Sequence, residues 1–193
     1  MIPFILMRCR DKLPLFLLVF LLIPRLASAT EAPPVSRITI HEIRLGVLAH
    51  DKDGLWSGSR VEDGTDYNAE IVFLRPSFKP PLGIVRPNLG ATINSGDGTS
   101  KAYAGLDWNF DLSRWFFMNL GTALAVHNGN LKDRETDKKA LGTRFLFRTM
   151  VELGVKFHEH HRLSIAFAHI SNAGLANPND GLDTLGVRYT YRY

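Results

Sequence analysis

The chain has 193 residues, 45% of them hydrophobic and 22% charged, with a formal net charge of +4 and a single cysteine. That is room for about one domain, with too little charge for an intrinsically disordered chain. The longest apolar run, Leu13 to Pro24, has 12 residues; a spanning helix needs about 20, which excludes a helical membrane bundle.

Residues 1–29 read as a secretory signal peptide. Arg8, Arg10 and Lys12 supply a positive start, the apolar run follows, and Ala27-Ser28-Ala29 forms an A-x-A cleavage site. Cleavage before Thr30 leaves 164 residues with 19 basic and 18 acidic side chains. That near balance removes the case for nucleic acid that the basic composition makes. Cys9 departs with the same segment, so the exported chain (residues 30–193) has neither a disulfide nor a cysteine to carry a lipid anchor.

Beyond residue 37 the hydrophobic period is two rather than 3.6, which predicts strands. The first three fall near 41–50, 66–75 and 84–95. In the third, Val85, Leu89, Ala91 and Ile93 share a face that Pro87 weakens. From 102 to 112, Ala102, Ala104, Leu106, Trp108, Phe110 and Leu112 oppose Tyr103, Gly105, Asp107, Asn109 and Asp111. From 116 to 126, Phe116, Met118, Leu120, Thr122, Leu124 and Val126 oppose Asn119, Gly121 and Ala123. The sixth, 143–157, sets Phe145, Phe147, Val151, Leu153, Val155 and Phe157 against Arg144, Arg148, Glu152 and Lys156. The seventh covers 160–171. The eighth, 184–193, sets Leu185, Val187, Tyr189, Tyr191 and Tyr193 against Thr184, Gly186, Arg188, Thr190 and Arg192.

Eight such segments fit either a soluble β-sandwich or a membrane barrel. The second face decides: Arg, Lys, Glu, Asp and Asn mixed with Gly and Ala suit a narrow lumen with paired charges. Lengths of about 10–13 residues suit tilted strands crossing the hydrocarbon, and aromatics near the segment ends suit interfacial girdles. The expected fold is therefore an all-β, eight-stranded antiparallel transmembrane barrel in the bacterial outer membrane. Connections at 51–65, 95–99, 128–142 and 172–181 face outward. The shorter turns at 76–83, 113–114 and 158–159 face the periplasm.

Parity then places polar groups on the lipid face. Leu163, Ile165 and Phe167 continue to His169 and Ser171, and Leu185 and Val187 extend back to Asp183. Pairing Asp183 with His169 puts the carboxylate beside the imidazole, because directly opposed Cβ atoms lie about 4.5–5.5 Å apart. Polar groups on that face are costly without a reason. A serine nucleophile, a histidine base and a carboxylate that fixes its tautomer are the parts of acyl transfer. An interfacial polar rim would account for the same residues.

The run His169-Ile170-Ser171-Asn172-Ala173-Gly174, followed by Asn177-Pro178-Asn179-Asp180-Gly181, resembles the signature of PagL-type lipid A 3-O-deacylases. These are outer-membrane barrels that hydrolyse the ester at the 3 position of lipid A. The resemblance implies His169 as base and Ser171 as nucleophile. The family's acid, usually glutamate, falls at Asp183. Asn179 and the Gly174 N–H match its oxyanion stabilisers, and Asn172 is expected to order the loop. Phe167, Leu175 and Leu185 are candidates for an acyl groove. No metal or organic cofactor is implied; the partners are lipopolysaccharide and outer-membrane lipid, no nucleic acid, with a homodimer left open. A non-catalytic barrel and a lipid A acyltransferase remain as alternatives.

Other motifs carry less. His158-Glu159-His160-His161 falls in a tight turn, where alternate side chains diverge. Gly96-Asp97-Gly98 has no helix after it and suits a hairpin. Asp51-Lys52-Asp53-Gly54 lacks the later ligands of a calcium loop. The charged run 132–139 reads as a solvated loop in reach of lipid A phosphates. His41, His50 and His127 receive no partner from the sequence.

Overall fold

The computed structural model describes residues 39–57, 61–75, 77–132 and 137–193; the signal peptide expected at 1–29 lies outside them. Eight antiparallel strands close into a barrel: β1 (Ile40–Ala49), β2 (Thr65–Phe73), β3 (Ile84–Asn94), β4 (Lys101–Asp111), β5 (Phe116–His127), β6 (Phe145–Phe157), β7 (His161–Ser171) and β8 (Leu182–Arg192). Each strand pairs with its chain neighbours, and β1 closes on β8 from Glu42↔Arg192 to Ala49↔Leu185. Closure leaves no unpaired edge, the condition for backbone in hydrocarbon.

The exterior is apolar. Leu45, Val47, Leu89, Ile93, Leu106, Leu124, Phe145, Leu153, Ile165 and Val187 are among the large side chains left exposed around the wall. A belt of that extent facing water would drive association; facing lipid, it is the surface a spanning barrel requires. It excludes the soluble sandwich, which buries this face.

The interior is ionic and interlocked. The Arg44 guanidinium donates to Glu42 Oε2 (2.6 Å), Glu70 Oε1 (2.9 Å) and Asp107 Oδ2 (2.9 Å). Arg188 Nη2 reaches the same Glu70 oxygen at 2.8 Å, and Tyr103 Oη donates to Glu70 Oε2 at 2.8 Å. Buried charges persist only when paired in this way. Gly90 makes room for the phenol, since a Cβ there would lie 2.5 Å from Tyr103 Oη. Beside the ends of β6, β7 and β8 on the side of the candidate site, Leu141, Leu146, Ile170 and Leu182 form one buried apolar cluster. This cluster backs the wall on which the candidate site sits.

The starts of β6 and β8 each lie two residues from expectation, for visible reasons. β6 begins at Phe145, because Arg144 Nη1 leaves the strand to donate to the carbonyls of His127 (3.1 Å) and Gly129 (2.9 Å). β8 begins at Leu182, because its first residues pair with the end of β7. Pro87 sits within β3 without cost to the β2 ladder. The last β2–β3 pair is Val72↔Asn88, so the missing N–H falls just past it.

Candidate active site

The β7–β8 hairpin pairs His169 with Asp183 in the expected register. His169 Nδ1 donates to Asp183 Oδ1 at 2.6 Å, so the aspartate reaches the imidazole. Ser171, the last residue of β7, is two positions further along the same face and half-buried. Parity therefore brings the three residues to one end of the outer wall.

The wall is not bare, as the sequence had implied. His169 is 6% exposed and Asp183 fully buried, because the outer loop after β1 (L1, described at 50–57 and 61–64) folds back over them. Trp56 N and Ser57 N donate to Asp183 Oδ2 at 2.5 and 2.6 Å, and Lys52 N donates to the Asp183 carbonyl at 2.9 Å. The Trp56 indole stacks on the His169 ring at 4.6 Å with 17° between planes. Gly181 (φ +66°) lets the layers meet: a Cβ there would stand 3.0 Å from His169 Cε1 and 3.4 Å from Ser57 Cβ. The buried carboxylate is thus compensated by an imidazole and two amides rather than by water.

L1 is anchored from its far side. His50 Nδ1 and Nε2 donate to Asp66 Oδ1 (2.7 Å) and Glu62 Oε2 (2.9 Å), which holds the imidazole as a cation. Burial pushes the His50 pKa down, but the bonds to the two carboxylates outweigh it and raise it above the ordinary 6.5. Burial likewise raises Glu62. The His50 bond and the N–H groups of Thr99 and Lys139 overcome that and hold it at about 2. Asp51 (φ 43°) accepts from Val61 N and Glu62 N and pairs with Lys139 Nζ at 3.1 Å.

The β7–β8 loop (L4, residues 172–181) is organised by Asn172. Its Nδ2 donates to the carbonyls of Leu141 (3.1 Å) and Pro178 (2.9 Å), and its Oδ1 accepts from Gly174 N (2.9 Å). Ala173 and Gly174 turn the chain at φ 55° and 77°. The Gly174 N–H, expected to face an oxyanion, is in this conformation given to Asn172. Asn179 is exposed, and its Oδ1 accepts from Asn172 N at 2.9 Å, which commits its carbonyl and not its amide nitrogen. Phe167 pairs with Leu185 below the imidazole, both half-buried, while Leu175 is 78% exposed on L4.

The remaining motifs have local partners. His160 Nδ1 bonds to Arg192 O and His161 Nδ1 to Tyr189 Oη, and the described residues hold no metal-binding group of His, Cys, Asp or Glu. Asn94 Oδ1 caps the Gly96–Gly98 hairpin by accepting from both glycine N–H groups. His127 Nε2 bonds to Thr143 O. Residues 133–136 of the charged run lie outside the described residues. The contribution of Trp56 and Ser57 was missed; the one hint is the adjacent apolar pair Leu55-Trp56 in a mostly polar loop.

An apolar-walled, ion-filled, closed eight-stranded barrel is the architecture of an outer-membrane barrel, and this one carries an imidazole–carboxylate pair on its outer wall. Residues 88–192 match the family described as Lipid A 3-O-deacylase (PagL), more than half of the chain, and the chain belongs to that family. The Lipid A deacylase PagL of Bordetella bronchiseptica is 29% identical over 115 residues, 55% of this chain and 61% of that protein. The match thus spans less than two thirds of that relative's length. The crystal structure of the outer membrane enzyme PagL superposes with a TM-score of 0.59 at 21% identity, covering 79% of this chain and 99% of the other. A de novo designed transmembrane β-barrel reaches 0.51 at 9% identity, covering 82% and 98%. A designed barrel fitting nearly as well shows that the fold carries no chemistry by itself.

Proposed function

We propose that the chain is a serine esterase of the outer membrane that removes the 3-hydroxyacyl chain ester-linked at the 3 position of lipid A. The observation that supports it is the hydrogen bond from His169 Nδ1 to a buried Asp183, on the same wall as Ser171 and at the end where long loops gather. Committing Nδ1 to the carboxylate leaves Nε2 as the base, the tautomer that acyl transfer needs. Lipid A is the ester-bearing lipid of the outer leaflet at that height.

In the proposed reaction Ser171 Oγ attacks the ester carbonyl carbon as His169 Nε2 takes its proton. The Asn179 amide and the Gly174 N–H, the latter turned from or shared with Asn172, would hold the oxyanion. Donors of this kind are worth about 2.7–4 kcal/mol each. The ester C–O bond breaks, and the sugar oxygen leaves with the proton from the imidazolium. Water, deprotonated by His169, then hydrolyses the acyl-serine and releases a 3-hydroxy fatty acid. Phe167, Leu185 and the exposed Leu175 offer apolar surface for the acyl chain.

Mass spectrometry of lipid A from cells expressing the wild type, Ser171→Ala and His169→Ala tests this. The wild type should remove one hydroxyacyl chain, and both variants should leave it in place. Unchanged deacylation by either variant refutes the mechanism. No mass change with the wild type would instead favour a non-catalytic barrel, and a gain of mass an acyltransferase.

A further inference from the structure

L1 does more to the pair than cover it. An imidazole bonded through Nδ1 alone can still swing about that bond, and a carboxylate can still rotate about its own axis. Here both motions are stopped by one dipeptide from a loop about 127 residues away in sequence. The Trp56 and Ser57 N–H groups hold Asp183 Oδ2 at 2.5 and 2.6 Å while Oδ1 faces His169, which fixes the carboxylate plane. The indole, stacked 17° from parallel, fixes the imidazole plane.

Trp56 is also 55% exposed. One face of the indole lies on the imidazole while the rest stays open, as a ring at a membrane interface does, so the stacking is a contact that ties this side chain to the pair. L1 is seated independently of that contact, through Glu62, Asp51, His50 and Lys139.

We infer that Trp56 is a positioning residue and that the segment 50–57 acts as a clamp. Its two backbone N–H groups set the carboxylate, its indole sets the imidazole, and Ser171 is activated only with the clamp seated. The inference rests on the esterase reading above. A loop that merely covers the wall would tolerate any apolar residue at position 56, whereas a clamp needs a flat ring.

The test measures Trp56→Ala and Trp56→Phe in the full-length protein refolded in detergent, with kcat and KM determined separately. Misplacing a catalytic group by about 1 Å costs roughly 100-fold, so Trp56→Ala should lose about 10- to 100-fold in kcat with KM little changed. Trp56→Phe, which keeps a ring, should recover most of the loss. A kcat for Trp56→Ala within about twofold of wild type overturns the inference, as does a Trp56→Phe variant no better than the alanine.

A second readout is independent of turnover. In the Ser171→Ala protein, amide NMR should find the Trp56 and Ser57 N–H protons shifted downfield and protected from exchange. Adding Asp183→Ala should release both. If Ser171→Ala still deacylates, the esterase reading fails while protected amides still report the clamp. If those amides exchange as freely as an open loop, the clamp fails whatever the deacylation result.

Discussion

Replacing Asp183 with asparagine should be far more damaging than its size suggests. The side chain is isosteric, so the barrel should fold. Yet its two ends are not equivalent to their surroundings: one oxygen position faces two N–H donors, from Trp56 and Ser57, and the other faces His169 Nδ1. The asparagine must turn its carbonyl oxygen to the two amides, because an NH2 group there would oppose both. That leaves the NH2 group donating to Nδ1, which can accept only as the other tautomer. The proton then sits on Nε2, the nitrogen that has to take the serine proton. The corresponding change in a Ser-His-Asp protease lowers kcat about 10,000-fold. With the orientation imposed from L1, a loss of about 1,000- to 10,000-fold is expected, or roughly 4–5.5 kcal/mol at 1.36 kcal/mol per decade. Purified variants in mixed micelles with lipid A, followed by mass spectrometry over hours, span that range. A kcat for Asp183→Asn within about tenfold of wild type would refute both the tautomer assignment and the role of the two amides.

The anchor of L1 should respond to pH in a defined window. His50, raised above 6.5, contributes stability in full below that value and loses it as pH rises through its elevated pKa. Glu62, held at about 2 against an ordinary 4.5, contributes above 4.5 and loses its share as pH falls towards 2. L1 amide exchange, corrected for intrinsic rates, should therefore be slowest between about 4.5 and 6.5, and Glu62→Gln should flatten the profile. Asn172→Asp, which removes the donors to the Leu141 and Pro178 carbonyls, should lower kcat about 10- to 100-fold through misplacement of L4, and a rate equal to wild type would contradict that role. Arg44→Met takes from Asp107 its guanidinium partner and from Glu42 and Glu70 one of theirs, leaving them Arg192 and Arg188, and should cost about 3–5 kcal/mol, readable as a lower urea midpoint by heat-modifiable gel shift.

The barrel was legible because alternation carries two constraints at once. Period two fixes which residues face lipid, and an ionic second face can be satisfied only in a lumen where Arg44 meets Glu42, Glu70 and Asp107. The same parity made the His169–Asp183 pair readable, since both residues continue apolar faces and a hairpin brings them together. L1 was hidden for the converse reason. It has no periodicity, and Trp56 and Ser57 reach Asp183 through backbone N–H groups, which every residue but proline has. Its anchors were visible as residues but not as partners: Asp51 suggested a cation loop, and His50 stood alone until folding set Glu62 and Asp66 on either side. Arg144 misled the strand boundary because carbonyl-bound arginines look, in sequence, like lumen-facing ones.

The crowded interior also decides the traffic around this protein. With Arg44 and Arg188 locked to Glu42, Glu70 and Asp107 across the bore, the lumen is filled by side chains and offers an acyl chain no apolar path. An acyl chain released by the proposed reaction would therefore leave sideways, along the lipid-facing wall.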